Sequence, residues 1–192
     1  MKRFAALALF IALLLSAVAM AEGQLTVVEK NVVIQPEDGA GYFYARIENT
    51  GDAPVIYDYG QLVILSEEEE ILETESYVTC SPSRLVLQPG EYAYVVEYLW
   101  NSAFEDAQIG EVKFAVTAGD RWGTNTAPAP CEATVDDLAY DQYIYVTFTN
   151  DTEGTVYGYY VVVALHDREG NLVYVDGNQF TNLGVHPGSI FN

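Results

Sequence analysis

The side chains with the most binding potential in this 192-residue chain are tyrosines set two apart. Tyr42 and Tyr44 alternate with Phe43, Ala45 and Ile47, and Tyr143 and Tyr145 alternate with Ile144, Val146 and Phe148. In an extended chain successive side chains point to opposite faces. The aliphatic set is therefore expected in a core and the tyrosines on the outer face, joined there by Tyr59 and Tyr160. Such a row can stack on the apolar faces of sugar rings while phenols and carboxylates meet the hydroxyls. It can equally pack across strands as a half-wet structural face.

Catalysis has little support. His166 and His186 fall at expected strand ends, and no G-x-S-x-G, H-E-x-x-H or Cys-His arrangement accompanies them. Carboxylates are so numerous that a glycosidase-like acid pair means nothing without geometry. The chain is expected not to be an enzyme and to use no cofactor. Asp136, Asp137 and Asp141, or the run Glu67 to Glu70, offer oxygen ligands for a structural calcium ion, although no D-x-D-x-D-G loop is present. Cys80 and Cys131 form one bridge, as an exported chain would permit, or stand as two free thiols. Without a C-x-x-C motif, redox chemistry is not expected.

The elements that must position these residues are strands. Short runs rich in Val, Ile, Tyr, Phe and Thr recur with period two and no helical stripe, which predicts an all-β fold. Reversals are supplied by Asn49-Thr50-Gly51-Asp52, by Asp167 to Asn171, and by Pro89-Gly90 and Pro187-Gly188. Shifting the chain by about 100 residues lays Tyr42 to Asn49 over Tyr143 to Asn150, Val55 over Val156 and Tyr59 over Tyr160. The pattern predicts two copies of one module, residues 22–118 and 131–192, joined by a linker over 119–130. Tyr92, Tyr94, Val96, Tyr98 and Trp100 alternate together and are expected to fill the first core. Trp122 is read as a plug between the modules, with exposure for binding as the alternative.

Lys2 and Arg3 precede an apolar run from Phe4 to Leu15 and then Ala19-Met20-Ala21, the layout of a signal peptide cleaved after Ala21. No later stretch approaches the roughly 20 apolar residues of a membrane span. A secreted or extracytoplasmic, cell-surface protein is expected. Losing Lys2 and Arg3 leaves 6 Lys+Arg against 28 Asp+Glu, a formal charge of −22. Such a surface repels phosphate backbones, so nucleic acid is excluded as a partner and anionic membranes are disfavoured. Cations, basic proteins and neutral glycans remain.

Copy two contains Tyr145-Val146-Thr147-Phe148-Thr149-Asn150, then Val161 through His166-Asp167-Arg168-Glu169-Gly170-Asn171 to Val173, then Pro187-Gly188. This order resembles the bacterial FxLYD-type immunoglobulin-like modules: a strand ending in Asn, a strand ending in an aromatic plus Asp, a Gly turn, and a Pro-Gly before the next strand. His166 stands where the family prefers Tyr, and copy one, with Leu65-Ser66 at the aromatic-Asp pair, resembles a more diverged relative. The resemblance implies tandem immunoglobulin-like β-sandwiches on an exported bacterial protein and says little about a ligand. After Pro89-Gly90 copy one offers two further strands, Glu91 to Trp100 and Glu111 to Ala118, which copy two does not repeat before Asn192. The second module is therefore expected to be incomplete, through truncation of a longer chain or through strand pairing with another chain. The function expected is non-catalytic binding or adhesion to an extracellular glycan or protein through aromatic and acidic sheet faces. The alternatives are an accessory module of a glycan-degrading enzyme whose catalytic domain lies outside this chain, and a purely structural stalk.

Overall fold

A computed structural model describes residues 22–106, 108–120, 122–126, 129, 131–137, 142–180 and 183–191; the expected leader, 1–21, lies outside them. The described residues are all-β, with two short 3-10 turns, Pro36–Asp38 and Ser102–Glu105, and no helix long and apolar enough to cross a membrane.

In the first half, β1 (Leu25–Gln35), β2 (Ala40–Asn49) and β6 (Tyr92–Trp100) form one antiparallel sheet in the order β1-β2-β6. A second sheet is built around β3 (Val55–Ser66). It pairs with β7 (Ile109–Gly119) along one edge, and with β4 (Ile71–Val78) and β5 (Leu85–Leu87) along the other. The sheets bury Phe43, Ala45, Ile47, Val95 and Leu99 from one side against Tyr57, Leu62, Ile64 and Val78 from the other, the arrangement of a β-sandwich. A register shift between Tyr57 and Tyr59 changes the parity of β3, so both Tyr57 and Leu62 point inward. Gly60 follows that shift because a Cβ there would run into the Phe114 ring.

In the second half, β9 (Cys131–Asp137), β10 (Gln142–Thr149) and β13 (Ile190–Phe191) form a three-stranded sheet, and β11 (Tyr159–His166) pairs with β12 (Leu172–Phe180). The buried Asn49 and Asn150 make the same contacts. Asn49 Nδ2 donates to the carbonyls of Ala53 and Leu87 at 2.8 and 2.9 Å, and Asn150 Nδ2 donates to those of Gly154 and Val185, each at 2.8 Å. The Gly90 amide donates to Asn49 O, and the Gly188 amide to Asn150 O. Val55 pairs with Leu87 and Val156 with Val185; Ile47 pairs with Ala93 and Phe148 with Phe191. Packing differs between the halves: Ile64 is 0% exposed, whereas Leu165, its counterpart in the repeat, is 38% exposed.

The stretch read as a linker is fastened to the first half. Gly119 ends β7, and β8 (Thr124–Asn125) runs parallel to β5 through Leu85 and Val86. The two halves also touch through the β11–β12 hairpin, which lies on the outer face of the β1-β2-β6 sheet. Leu172 and Val175 are buried against Tyr44, and Asn31 Nδ2 donates to Leu172 O at 2.9 Å.

Candidate binding face

Directly paired residues of neighbouring strands share a face, so β2 dictates the faces of β6. Ile47 pairs with Ala93 and Ala45 with Val95, which sends those small aliphatic residues into the core with Phe43. Tyr42 pairs with Tyr98, Tyr44 with Val96, Arg46 with Tyr94 and Ala40 with Trp100, all on the other side. The expectation that Tyr92, Tyr94, Val96, Tyr98 and Trp100 fill the core is thereby reversed. Both parities of β6 are largely apolar, so alternation within the strand does not choose between them; the pairing does.

The outer face carries one connected aromatic row. Tyr174 of β12 leans on Tyr44 with ring centroids 6.4 Å apart, Tyr44 stacks on Tyr42 at 5.9 Å and 3°, Tyr42 meets Tyr98 at 5.2 Å, and Tyr98 meets Trp100 at 6.1 Å. Exposure is lowest in the middle of the row and rises from Tyr44 toward Trp100: Tyr174 is 41% exposed, Tyr44 3%, Tyr42 half-buried, Tyr98 46% and Trp100 70%. Tyr44, expected on a free face, is thus covered by the second half, because strand period identifies a face without saying what lies on it. Burial, with Tyr42, Tyr174 and Asp176 nearby, holds the Tyr44 phenol above its ordinary range and therefore neutral.

At the opposite corner of this face the Arg46 guanidinium lies 5.4 Å over the Tyr92 ring. Arg46 Nε is 3.2 Å from Glu29 Oε1, an ion pair without the alignment of a hydrogen bond, while Glu29 Oε2 is 3.0 Å from His166 Nε2 of the other half. A second cation of this kind is Arg84, 5.2 Å over the Trp122 ring, paired with Asp58 and donating from Nε to Trp122 O at 2.9 Å. Trp122 is 71% exposed and carries Arg84 on its face, so it is no plug between modules.

The other tyrosines are not drawn into the row. Tyr59 is half-buried on the outer side of β3 and stacks on Tyr77 at 5.2 Å. Tyr145 is 46% exposed and Tyr160 half-buried, both in the second half; Tyr143 pairs through its backbone with Asp136, and its side chain is outside what the structure describes. Cys80 and Cys131 are free thiols rather than a bridge. Cys80 is buried, donates to Pro82 O at 3.1 Å, and is pushed up to about 11 by burial, whereas Cys131 is exposed on β9 opposite Phe148. For calcium, no group of three or more His, Cys, Asp or Glu among the described residues could hold an ion; Asp141 and the side chains of Asp136 and Asp137 lie outside that description. The Glu67 to Glu70 run is an exposed β3–β4 turn, in which Ser66 Oγ accepts from the amides of Glu68 and Glu70.

Tyr98 and Trp100 are the site residues that alternation alone misplaces. The signal that finds them is the repeat of Tyr42-x-Tyr44 and Tyr92-x-Tyr94-x-x-x-Tyr98-x-Trp100 once β2 and β6 are set antiparallel. Compared with known protein families, with curated proteins and with solved structures, the chain matches none.

Proposed function

We propose that this is an exported, non-catalytic binding or adhesion protein of two tandem immunoglobulin-like modules, working at the cell surface or in the extracellular space. The modular reading is supported by the matching contacts of Asn49 and Asn150 and by the strand pairings that repeat around them. The binding reading is carried by one observation: the aromatic row grows more exposed toward Trp100, although the first core is already filled by Ala93, Val95 and Leu99. A row that contributes nothing to that core, and is left open in a chain of charge −20, suits an extracellular glycan or protein surface. The contact residues are Tyr42, Tyr98 and Trp100, in place of the wider set of tyrosines.

The test is a thermal-shift screen of residues 22–192 against cell-wall polysaccharides, host glycans and extracellular proteins, since a ligand of the folded state raises its melting temperature. A shift is expected that disappears in Tyr98→Ala with Trp100→Ala. No shift, or one that the double variant keeps, refutes the assignment. A spacer role is the second reading, favoured by the seating of Leu172 and Val175 on Tyr44, which fixes one half against the other.

A further inference from the structure

We infer that the open end of the aromatic row receives a cationic side chain of a protein partner, namely an arginine from a basic, extended segment laid over Tyr98 and Trp100. The inference rests on the binding reading above and names its ligand class. Its first support is internal. This chain seats two of its own guanidinium groups in one arrangement: Arg46 over Tyr92 with Glu29 as the paired carboxylate, and Arg84 over Trp122 with Asp58. An aromatic face attracts a cation through its quadrupole, and an acid beside it fixes the charge. The Trp100 end offers an exposed aromatic face over which no Arg or Lys of the described residues lies.

The second support is charge complementarity. Trp100 pairs with Ala40, the first residue after the turn that carries Glu37 and Asp38. The Asn101 amide donates to Gly39 O, and the Glu105 carboxylate lies against Gly39. Asn101 Nδ2 also reaches Glu73 Oε2 at 3.3 Å. Glu37, Asp38 and Glu105 thus lie at the end of the sheet where the row is open, while Glu73 belongs to β4 of the facing sheet. With 28 Asp+Glu against 8 Lys+Arg overall, the chain draws basic segments from a distance, and the aromatic end supplies a place for one to stop. Guanidinium is favoured over ammonium because it stacks flat on an aromatic ring and tolerates loss of water better. A neutral sugar would stack on the rings and donate hydroxyls to these carboxylates, but would leave their negative charge uncompensated.

The experiment measures fluorescence anisotropy of a labelled peptide alternating Arg and Ser, the same peptide with citrulline for Arg, and, in a separate calorimetric titration, cellohexaose. Each is run with residues 22–192, with Trp100→Ala and with Trp100→Phe. The Arg peptide is expected to bind, the citrulline peptide to bind more weakly, and Trp100→Ala to lose about 2- to 30-fold in affinity, with part of it restored in Trp100→Phe. Raising salt from about 50 mM to about 500 mM weakens the long-range attraction in all three proteins; the ratio between wild type and Trp100→Ala persists. Equal affinity of wild type and Trp100→Ala for the Arg peptide, or equal affinity for the Arg and citrulline peptides, overturns the inference. Binding of cellohexaose that depends on Trp100, without binding of the Arg peptide, also overturns it and leaves the aromatic face as a glycan site. If wild type binds none of the three, the inference and the choice of this face as the binding site both fall. Because Trp100 is 70% exposed, its variants are expected to melt with wild type; a lower melting temperature in Trp100→Ala alone is checked against Trp100→Phe.

Discussion

Replacing Asn49 by Ala removes a carboxamide that makes four bonds. Nδ2 donates to Ala53 O at 2.8 Å and Leu87 O at 2.9 Å, while Oδ1 accepts from the amides of Gly51 at 3.0 Å and Gln24 at 3.2 Å. At about 1 kcal/mol net for each, the ceiling is about 4 kcal/mol. The bond to Leu87 O is fully buried, and water does not replace it at low cost; the two amides accepted by Oδ1 are nearer solvent, which trims the loss to about 3 kcal/mol. For a total stability of about 5–15 kcal/mol this is a large share. Urea unfolding followed by far-ultraviolet circular dichroism, with a slope of about 2 kcal/mol per molar, should show the midpoint falling by about 1.5 M. Asn150→Ala removes the parallel set, but one of its four partners is the Thr152 hydroxyl, 2.7 Å from Oδ1, which can turn to water. Its cost is expected to be nearer 2 kcal/mol. A loss below about 1 kcal/mol in Asn49→Ala would refute the claim that this side chain clamps the end of β2 to the Pro-Gly turn.

Further outcomes follow from other parts of the fold. Leu172→Ala should cost about 2–4 kcal/mol and increase hydrogen exchange in both β12 and β2; unchanged exchange in β2 would contradict the contact with Tyr44. Gly60→Ala drives a methyl group into the Phe114 ring and should cost about 1–3 kcal/mol by thermal melting, and a neutral result would show that Phe114 moves freely. Glu97 sits inside the parity of Ala93 and Val95, and burial together with Glu75 raises its carboxyl above the ordinary range. A raised folded value favours the protonated form, so Glu97 weakens the fold once pH exceeds the unfolded value, and the effect is complete above the folded one. Glu97→Gln should therefore stabilise at neutral pH and lose that advantage in acid; a gain independent of pH would sink the assignment. Alkylation under native conditions should modify Cys131 at once and Cys80 only on unfolding, and equal rates would argue against the burial of Cys80.

What the sequence discloses here depends on whether neighbouring parities differ in polarity. In β2 the inward set Phe43, Ala45, Ile47 runs opposite Arg46 and Glu48, so its face is legible. The Asn, Pro-Gly and Val positions of the repeat are legible too, because each does a local job within a few residues of a turn. In β6 both Val95 and Val96, and both Tyr98 and Leu99, are apolar, and only pairing with β2 decides which enters the core. The burial of Tyr44 depends on Leu172, more than a hundred residues away, and a long-range contact between two apolar faces leaves no periodic trace. The 119–130 stretch reads as a linker from its Gly, Thr and Pro content, yet Thr124 donates to Arg84 O and holds it to the sheet. The Arg84–Trp122 contact that accompanies it joins residues 38 positions apart.

The hairpin that covers Tyr44 also meters the surface beside it. In the proposed binding mode, ligand and hairpin would draw on the same row of rings from opposite ends, so a ligand short enough to stop at Tyr42 would leave the two halves locked. A longer one that needs Tyr44 must first lift Leu172 and Val175 away, and the work of separation is subtracted from its affinity. By reciprocity, anything that pulls the halves apart lengthens the available row and strengthens such a ligand. Under tension the seam between the halves would then behave as a catch whose release reveals further purchase for the partner already attached.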